Sequence, residues 1–264
     1  MDVEFRALTV DDFETVHAAF VEAFSDYVVT FAPTREQLRE MLTRRGYVAE
    51  ASVGVFDGGR MVAFTLNGFD GAMAYDSGTG VVPSHRRQGL GLAMMDHVIR
   101  TLRGRACTHY QLEVIDSNVA AIALYRSQQF VETRGLQCWS YPNSSDEALP
   151  ANERDIHGEW CDVAPSWQNS TASIRRARQP HTIIGNDDGY AVLFPATGDL
   201  PQLAVCPEAR RRGVGTLLLR QAAALSSAPL RILNVDDRSA GIEAFLAAVG
   251  ATKTVRQLEM IRSL

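Results

Sequence analysis

Gly78-Thr79-Gly80-Val81-Val82-Pro83-Ser84-His85-Arg86-Arg87-Gln88-Gly89-Leu90-Gly91-Leu92-Ala93 is the stretch that decides how the chain is read. An extended run containing Gly and Val meets Pro83 and turns through basic residues with glycines at 89 and 91. It leaves as an amphipathic helix marked by Met94, Met95, Val98, Ile99 and Leu102. That is a strand, a turn and a helix start. The first turn of a helix carries N–H groups without intrahelical partners and the positive end of the helix dipole, so glycines there let a phosphate approach bare backbone. Arg86 and Arg87 can add charge-assisted hydrogen bonds.

The pattern occurs twice. Gln202 to Thr216 lines up with it at a constant offset of 124, so that Val81, Pro83, Arg86, Arg87, Gly89 and Gly91 reappear as Val205, Pro207, Arg210, Arg211, Gly213 and Gly215. The second copy also continues into an apolar helix (Val214, Leu217, Leu218, Ala222), a strand at Arg231 to Val235 and a helix at Ile242 to Ala248. Around the first copy, helical spacing runs from Thr9 to about Arg45, two strands flank the turn Asp57-Gly58-Gly59-Arg60, and Met73 to Val82 is extended. Downstream come a strand at Tyr110 to Ile115, a helix through Ala121, Leu124 and Tyr125, and an extended segment from Phe130 to Tyr141. Pro142 to about Asp155, rich in Pro, Asn, Ser and acidic residues, reads as a linker.

At 264 residues, 46% hydrophobic and 22% charged, the chain has room for two globular domains. No run approaches a membrane span, and Met1 to Arg6 has neither a basic nor an apolar leader, so a cytoplasmic location is expected. Four scattered cysteines and six scattered histidines show no ligand spacing, so reduced thiols and no metal are expected. A net charge of -5 argues against a nucleic-acid partner.

Val81-x-Pro83-x-x-Arg86-x-x-Gly89-x-Gly91 resembles the acetyl-coenzyme A signature of the GNAT superfamily of N-acetyltransferases. Leu112-Glu113-Val114, Asn118, Ala121, Leu124-Tyr125 and Phe130 resemble the superfamily's second block, with Gln129 where a glycine is usual. The resemblance covers most of residues 3–141. It implies two tandem domains of mixed α/β class, each a central, mostly antiparallel mixed sheet flanked by helices: residues 1–142, a linker at 143–157, and 158–264. In the second copy Ser239 stands for Asn118 and Leu246 for Tyr125, while Gly250 restores the missing glycine, which marks a degenerate partner.

The resemblance further implies acetyl-coenzyme A as cosubstrate and a small-molecule or peptide amine as acceptor; the lack of an apolar span predicts no membrane partner, and the assembly is left open between monomer and homodimer. Backbone at Gly80, Val81 and Val82 would pair with the pantetheine arm, and the segment Arg86, Arg87, Gln88, Gly89, Leu90, Gly91 and Leu92 would cradle the pyrophosphate. The second-copy counterparts are Val205, Arg210, Arg211, Arg212, Gly213, Val214 and Gly215. Tyr125 is the candidate acid, since a phenol of pKa about 10 can protonate a thiolate whose conjugate acid is near about 8.5. Asn118 would orient the arm or cap a helix. An alkyl amine of pKa about 10.4 needs help to lose a proton at pH 7, and Asp76 and Glu113 are the candidate bases. Asp26 or Tyr27, in the turn after the first helix, would touch the amine. A different class remains open on this sequence, a coenzyme A sensor without turnover.

Overall fold

A computed structural model describes residues 3–27, 31–144 and 155–264. Its elements in chain order are β1 Val3–Ala7, α1 Phe13–Ala23, α2 Arg35–Arg44, β2 Val53–Asp57, β3 Arg60–Asp70, β4 Met73–Val81, α3 Leu90–Arg103, β5 His109–Ile115, α4 Val119–Ser127 and β6 Val131–Tyr141. After these come α5 Thr171–Arg176, β7 Thr182–Asn186, β8 Gly189–Phe194, β9 Asp199–Val205, α6 Val214–Leu225, β10 Leu230–Asp236, α7 Ala240–Ala248 and β11 Thr252–Ser263. The mixed α/β class and the repeated strand–turn–helix are therefore present. Most of the linker expected at 143–157 lies outside the described residues. No helix among the described residues is long and apolar enough to cross a membrane.

The chain divides into two compact units, residues 1–133 with 259–264 and residues 134–258. In the first, β1 to β4 form an antiparallel run, and β5 joins β4 in parallel through Met73–His109, Ala74–Tyr110 and Tyr75–Gln111 before the two strands part. Parallel pairing requires a crossover, and α3 provides it. On one face Val16, Ala19, Phe20 and Ala23 of α1 and Leu38 and Leu42 of α2 bury against Phe64 and Leu66 of β3. Thr34 starts α2 by accepting from the Gln37 N–H at 3.2 Å, while Gln37 reaches back to the Thr34 N–H, a reciprocal cap. On the other face α3 buries Met94, Met95, Val98, Ile99 and Leu102, and its His97 stacks on Phe5 of β1 at 6.1 Å.

In the second unit β7, β8 and β9 form the antiparallel run, β10 follows β9 in parallel, and β6 pairs with β10. Leu218, Leu219, Ala222 and Ala223 of α6 pack on one side with Ala191 and Leu193 of β8. Ile174 of α5 packs with Tyr190, Val192 and Phe194 on the other.

The units do not break at the linker. From Arg134 onward β6 belongs to the second unit, and the last six residues of the chain belong to the first. Gln111 Nε2 donates to Glu259 Oε2 at 2.9 Å, Thr133 Oγ1 donates to Glu259 Oε1 at 2.7 Å, and the Leu264 N–H donates to the Thr108 carbonyl at 3.0 Å. The Arg262 guanidinium donates to the Gln128 carbonyl.

The glycine missing before Phe130 has a conformational cost. Gln129 has φ 62°, and its counterpart Gly250 has φ 87°, the left-handed region in which a Cβ crowds the backbone. Replacing Gln129 with Gly is expected to stabilise the first unit by about 0.5–1 kcal/mol, net of the extra chain entropy lost by glycine. Urea unfolding of the full chain checks this, and a Gln129→Gly variant that unfolds at lower urea contradicts it.

Candidate active site

Between β4 and α3 the backbone enters the left-handed region twice, at Arg87 with φ 61° and at Gly89 with φ 80°. An added Cβ at Gly89 would meet nothing within 4 Å, so the glycine is there for its backbone angle and faces open space. No side chain caps α3, and among the described residues the N–H groups of Arg87 to Leu92 have no backbone partner, the first helical bond being Ala93 N–H to Gly89 carbonyl at 3.1 Å. Six successive donors without a backbone partner thus stand at the positive end of α3. This is the geometry for an anionic phosphate. Gly91 serves a different need: a Cβ there would lie 3.3 Å from Leu124, so its absence lets α3 and α4 approach.

Arg86 does not face that space. Its Nε donates to the Val81 carbonyl at 3.1 Å, its Nη2 to the Ala23 carbonyl at 2.8 Å, and its Nη1 pairs with Asp26 Oδ2 at 2.6 Å. Asp26, expected to touch an amine, is thus the partner of an expected phosphate ligand, and both side chains are used to hold the turn against α1. The pairing with Arg86 lowers the Asp26 pKa and keeps the carboxylate ionised. Arg210 repeats the clamp in the second unit, donating to the Val205 carbonyl at 3.1 Å and the Trp160 carbonyl at 2.9 Å and pairing with Asp162 at 2.6 Å. Arg211 with φ 62° and Gly213 with φ 86° complete the same turn before Val214 and Gly215.

The two faces of β4 separate Glu113 from Asp76 and Tyr125. Gly78 and Gly80 look toward α1, where an added Cβ would lie 3.2 Å from Phe20 and 2.6 Å from Phe64, respectively. A bulge at Ser77, opposite Leu66/Asn67, keeps Tyr75 on that face and turns Asp76 with Thr79 to the other. Asp76 accepts from the Gly78 N–H at 2.9 Å and from Thr79 Oγ1 at 2.6 Å, and Thr79 also reaches Thr65 at 3.2 Å. The Tyr125 hydroxyl joins Asp76 and Thr79. Burial, reinforced by the Asp76 charge, raises the Tyr125 pKa well above the ordinary phenol value, so its proton is retained at neutral pH. Tyr125 also packs against Phe130, which packs against Tyr110.

Glu113 lies across the sheet, where it accepts from the Tyr75 hydroxyl at 3.0 Å. The two carboxylates therefore do not share a site. Asn118 caps α4, its Oδ1 accepting from the Ala121 N–H at 3.2 Å, and its Nδ2 reaches the Tyr27 hydroxyl at 3.5 Å. Tyr27 also meets Phe24 edge-on at 5.1 Å, and Phe24 meets Phe31 in the same manner at 6.3 Å, forming an aromatic wall. At the end of β4 the Val82 N–H is taken by the Val62 carbonyl at 2.9 Å and the Val81 carbonyl by Arg86, whereas strand alternation points the Val81 N–H to the side from which β5 departs. Thr79, Thr65, Tyr75 and Glu259 are the polar residues of this region that the sequence reading missed. Thr79 alone carried a signal, lying within the Gly-Thr-Gly run.

Residues 14–130 match the family model described as Acetyltransferase (GNAT) family. This stretch is a GNAT acetyltransferase domain. The mycothiol acetyltransferase of Nocardia farcinica is 37% identical over 110 residues, which are 39% of this chain and 36% of that protein. The [ribosomal protein bS18]-alanine N-acetyltransferase of Escherichia coli K12 is 42% identical over 78 residues, 28% of this chain and 50% of that protein. The chain thus spans half or less of the length of these curated relatives. Beyond the matched domain, the fold as a whole resembles a tandem GNAT protein from the clavulanic acid biosynthesis pathway, with a TM-score of 0.69 at 20% identity over 99% of this chain and 98% of that one.

Asp76 makes the GNAT domain sensitive to pH. Burial raises its pKa from 3.8 to about 6, against the opposing pull of its Thr79 and Gly78 hydrogen bonds. The folded chain therefore holds a proton that the unfolded chain releases, and the stability this contributes is present below about pH 4 and lost as pH rises to about 6. Asp76→Asn is expected to flatten that slope and to raise stability at pH 7 by up to about 3 kcal/mol. Urea unfolding at pH 4.5 and pH 7 checks it, and a variant with the wild-type slope contradicts it.

Proposed function

We propose that the GNAT domain is an acetyl-coenzyme A dependent N-acetyltransferase acting on a primary amine by direct attack. The observation that carries this reading is the placement of six unpaired N–H groups at the end of a strand that parts from its neighbour, with Tyr125 beside the gap on one face and Glu113 on the other. The turn fits the coenzyme, since its donors, two left-handed residues and open space suit a pyrophosphate. Acetyl-coenzyme A, when bound, supplies the acetyl group as a thioester.

The chain's own residues do the rest. The N–H groups of Arg87 to Leu92 hold the pyrophosphate, and the Val81 N–H faces the gap where it can polarise a carbonyl. Glu113 takes a proton from the incoming ammonium, from the α1 face. The amine nitrogen forms its bond to the acetyl carbon as the carbon–sulfur bond breaks, and Tyr125 donates its proton to the departing thiolate from the opposite face. The second proton lost by the attacking nitrogen restores the phenol, Glu113 returns the first to solvent, and the products are an amide and a free thiol. Asp76 and Thr79 fix the Tyr125 hydroxyl, so Asp76 is assigned to positioning the acid and Glu113 to the base. Tyr27, Phe24 and Phe31 line the acceptor side. The names of the relatives, a mycothiol acetyltransferase and a [ribosomal protein bS18]-alanine N-acetyltransferase, support an amine acceptor of small or peptide character.

Tyr125→Phe removes the donor and keeps the ring packed on Phe130. With an accepted amine, kcat is expected to fall by about 10²-fold while KM for acetyl-coenzyme A stays within about threefold. Thiol release measured across a panel of amines checks this, and an unchanged kcat overturns the acid assignment.

A further inference from the structure

The second unit repeats the turn but not the gap beside it. In the first unit β4 and β5 keep three registered pairs before parting, whereas β9 and β10 keep one, Asp199 with Arg231. Immediately beyond that pair the space between the strands is taken by the chain itself. Asn169, buried at 6% exposure, closes the short turn Trp167–Asn169. Its Nδ2 donates to the Leu233 carbonyl of β10 at 2.6 Å, and its own carbonyl accepts from Gln202 Nε2 of β9 at 2.7 Å. Gln202 Oε1 in turn accepts from the Tyr190 hydroxyl at 2.8 Å, so the bridge is anchored on β8 as well.

The backbone of β10 is shaped for this contact. A bulge between Ile232 and Val235 interrupts its pairing with β6, and Asn234 sits in the left-handed region at φ 57°. Asn234 Oδ1 accepts from Gln257 Nε2 at 2.8 Å, which fixes the bulge from the side of β11. An extended arm lying between the two strands needs the space between their edges, and here Asn169 reaches across to the Leu233 carbonyl of the facing strand. Asn234 stands where the LEV block of the first copy has Glu113, and Leu246, buried at 2% exposure against Trp139 and Ala251, stands where Tyr125 does. Neither of these two positions offers a carboxylate or a phenol.

We propose that Asn169 seals the second unit against the pantetheine arm and that the chain binds one coenzyme per molecule, in the first unit. This rests on the coenzyme reading of the Arg87–Leu92 turn. The residues of the second unit do not fit the coenzyme, although Val205, Arg210 and Arg211 through Gly215 reproduce the first turn. There the Arg210 clamp serves to fold the strand–helix connection.

Calorimetric titration of the full chain with coenzyme A tests the proposal. One site per chain is expected, and it is expected to weaken by more than 100-fold in Gly89→Asp with no second site left behind. Leu92→Glu, at a position 45% exposed on the first turn of α3, gives the same reading without disturbing the core. Circular dichroism verifies that both variants are folded. Two sites in the parent chain, or one undiminished site in either variant, overturns the proposal. No site in the parent chain overturns the coenzyme reading beneath it.

Discussion

The site depends on the Arg86 clamp. A strand that must become a helix within a few residues, through two left-handed positions, exposes a row of N–H groups that nothing in the turn satisfies. Arg86 holds this arrangement by gripping the strand end at the Val81 carbonyl and the end of α1 at the Ala23 carbonyl, with Asp26 completing the fork. Because both charged partners are exposed to solvent, the ion pair itself adds little stability, and the value of the clamp is geometric. Its recurrence at Arg210, with Val205, Trp160 and Asp162 in the same roles, argues that the fold needs it whether or not a ligand is bound.

Once the turn is fixed, the parting of β4 and β5 organises the chemistry. Parallel strands that separate after Tyr75 and Gln111 leave a gap with two distinct faces, and the bulge at Ser77 determines which side chain goes to which. Without it, strand alternation would return Asp76 to the face of Gly78 and Gly80. With it, a phenol supported by Asp76 and Thr79 sits opposite a carboxylate supported by Tyr75. An attacking amine and a leaving thiolate must be served from different directions, and in the proposed mechanism this division of the sheet does so. The second unit keeps the turn and loses the division: its gap is bridged by Asn169, and its helix offers Leu246.

Local features were legible in the sequence and distant partnerships were not. Glycines at 89 and 91, the spacing to Asn118 and Tyr125, and the second copy at constant offset identified the strand, turn and helices because each is written within a few dozen residues. The partners of Arg86 were not legible because they lie 60 and 63 residues earlier, in a turn whose Asp26 invited a substrate role. Glu259 gave no signal, being 148 residues from Gln111. The strand carrying it, Thr252–Ser263, is rich in charged and polar residues, so it reads poorly as a strand until its neighbours are known. The separation of Asp76 from Glu113 turned on a single bulge, which composition does not reveal.

Amide hydrogen exchange of the full chain, with and without coenzyme A, addresses the central claim directly, since it reports on the N–H groups assigned to the pyrophosphate. The account predicts slowed exchange from Thr79 to Leu92 and none at Ala204 to Thr216. Protection at the second turn, or unchanged exchange from Arg87 to Leu92 at saturating coenzyme, would contradict it.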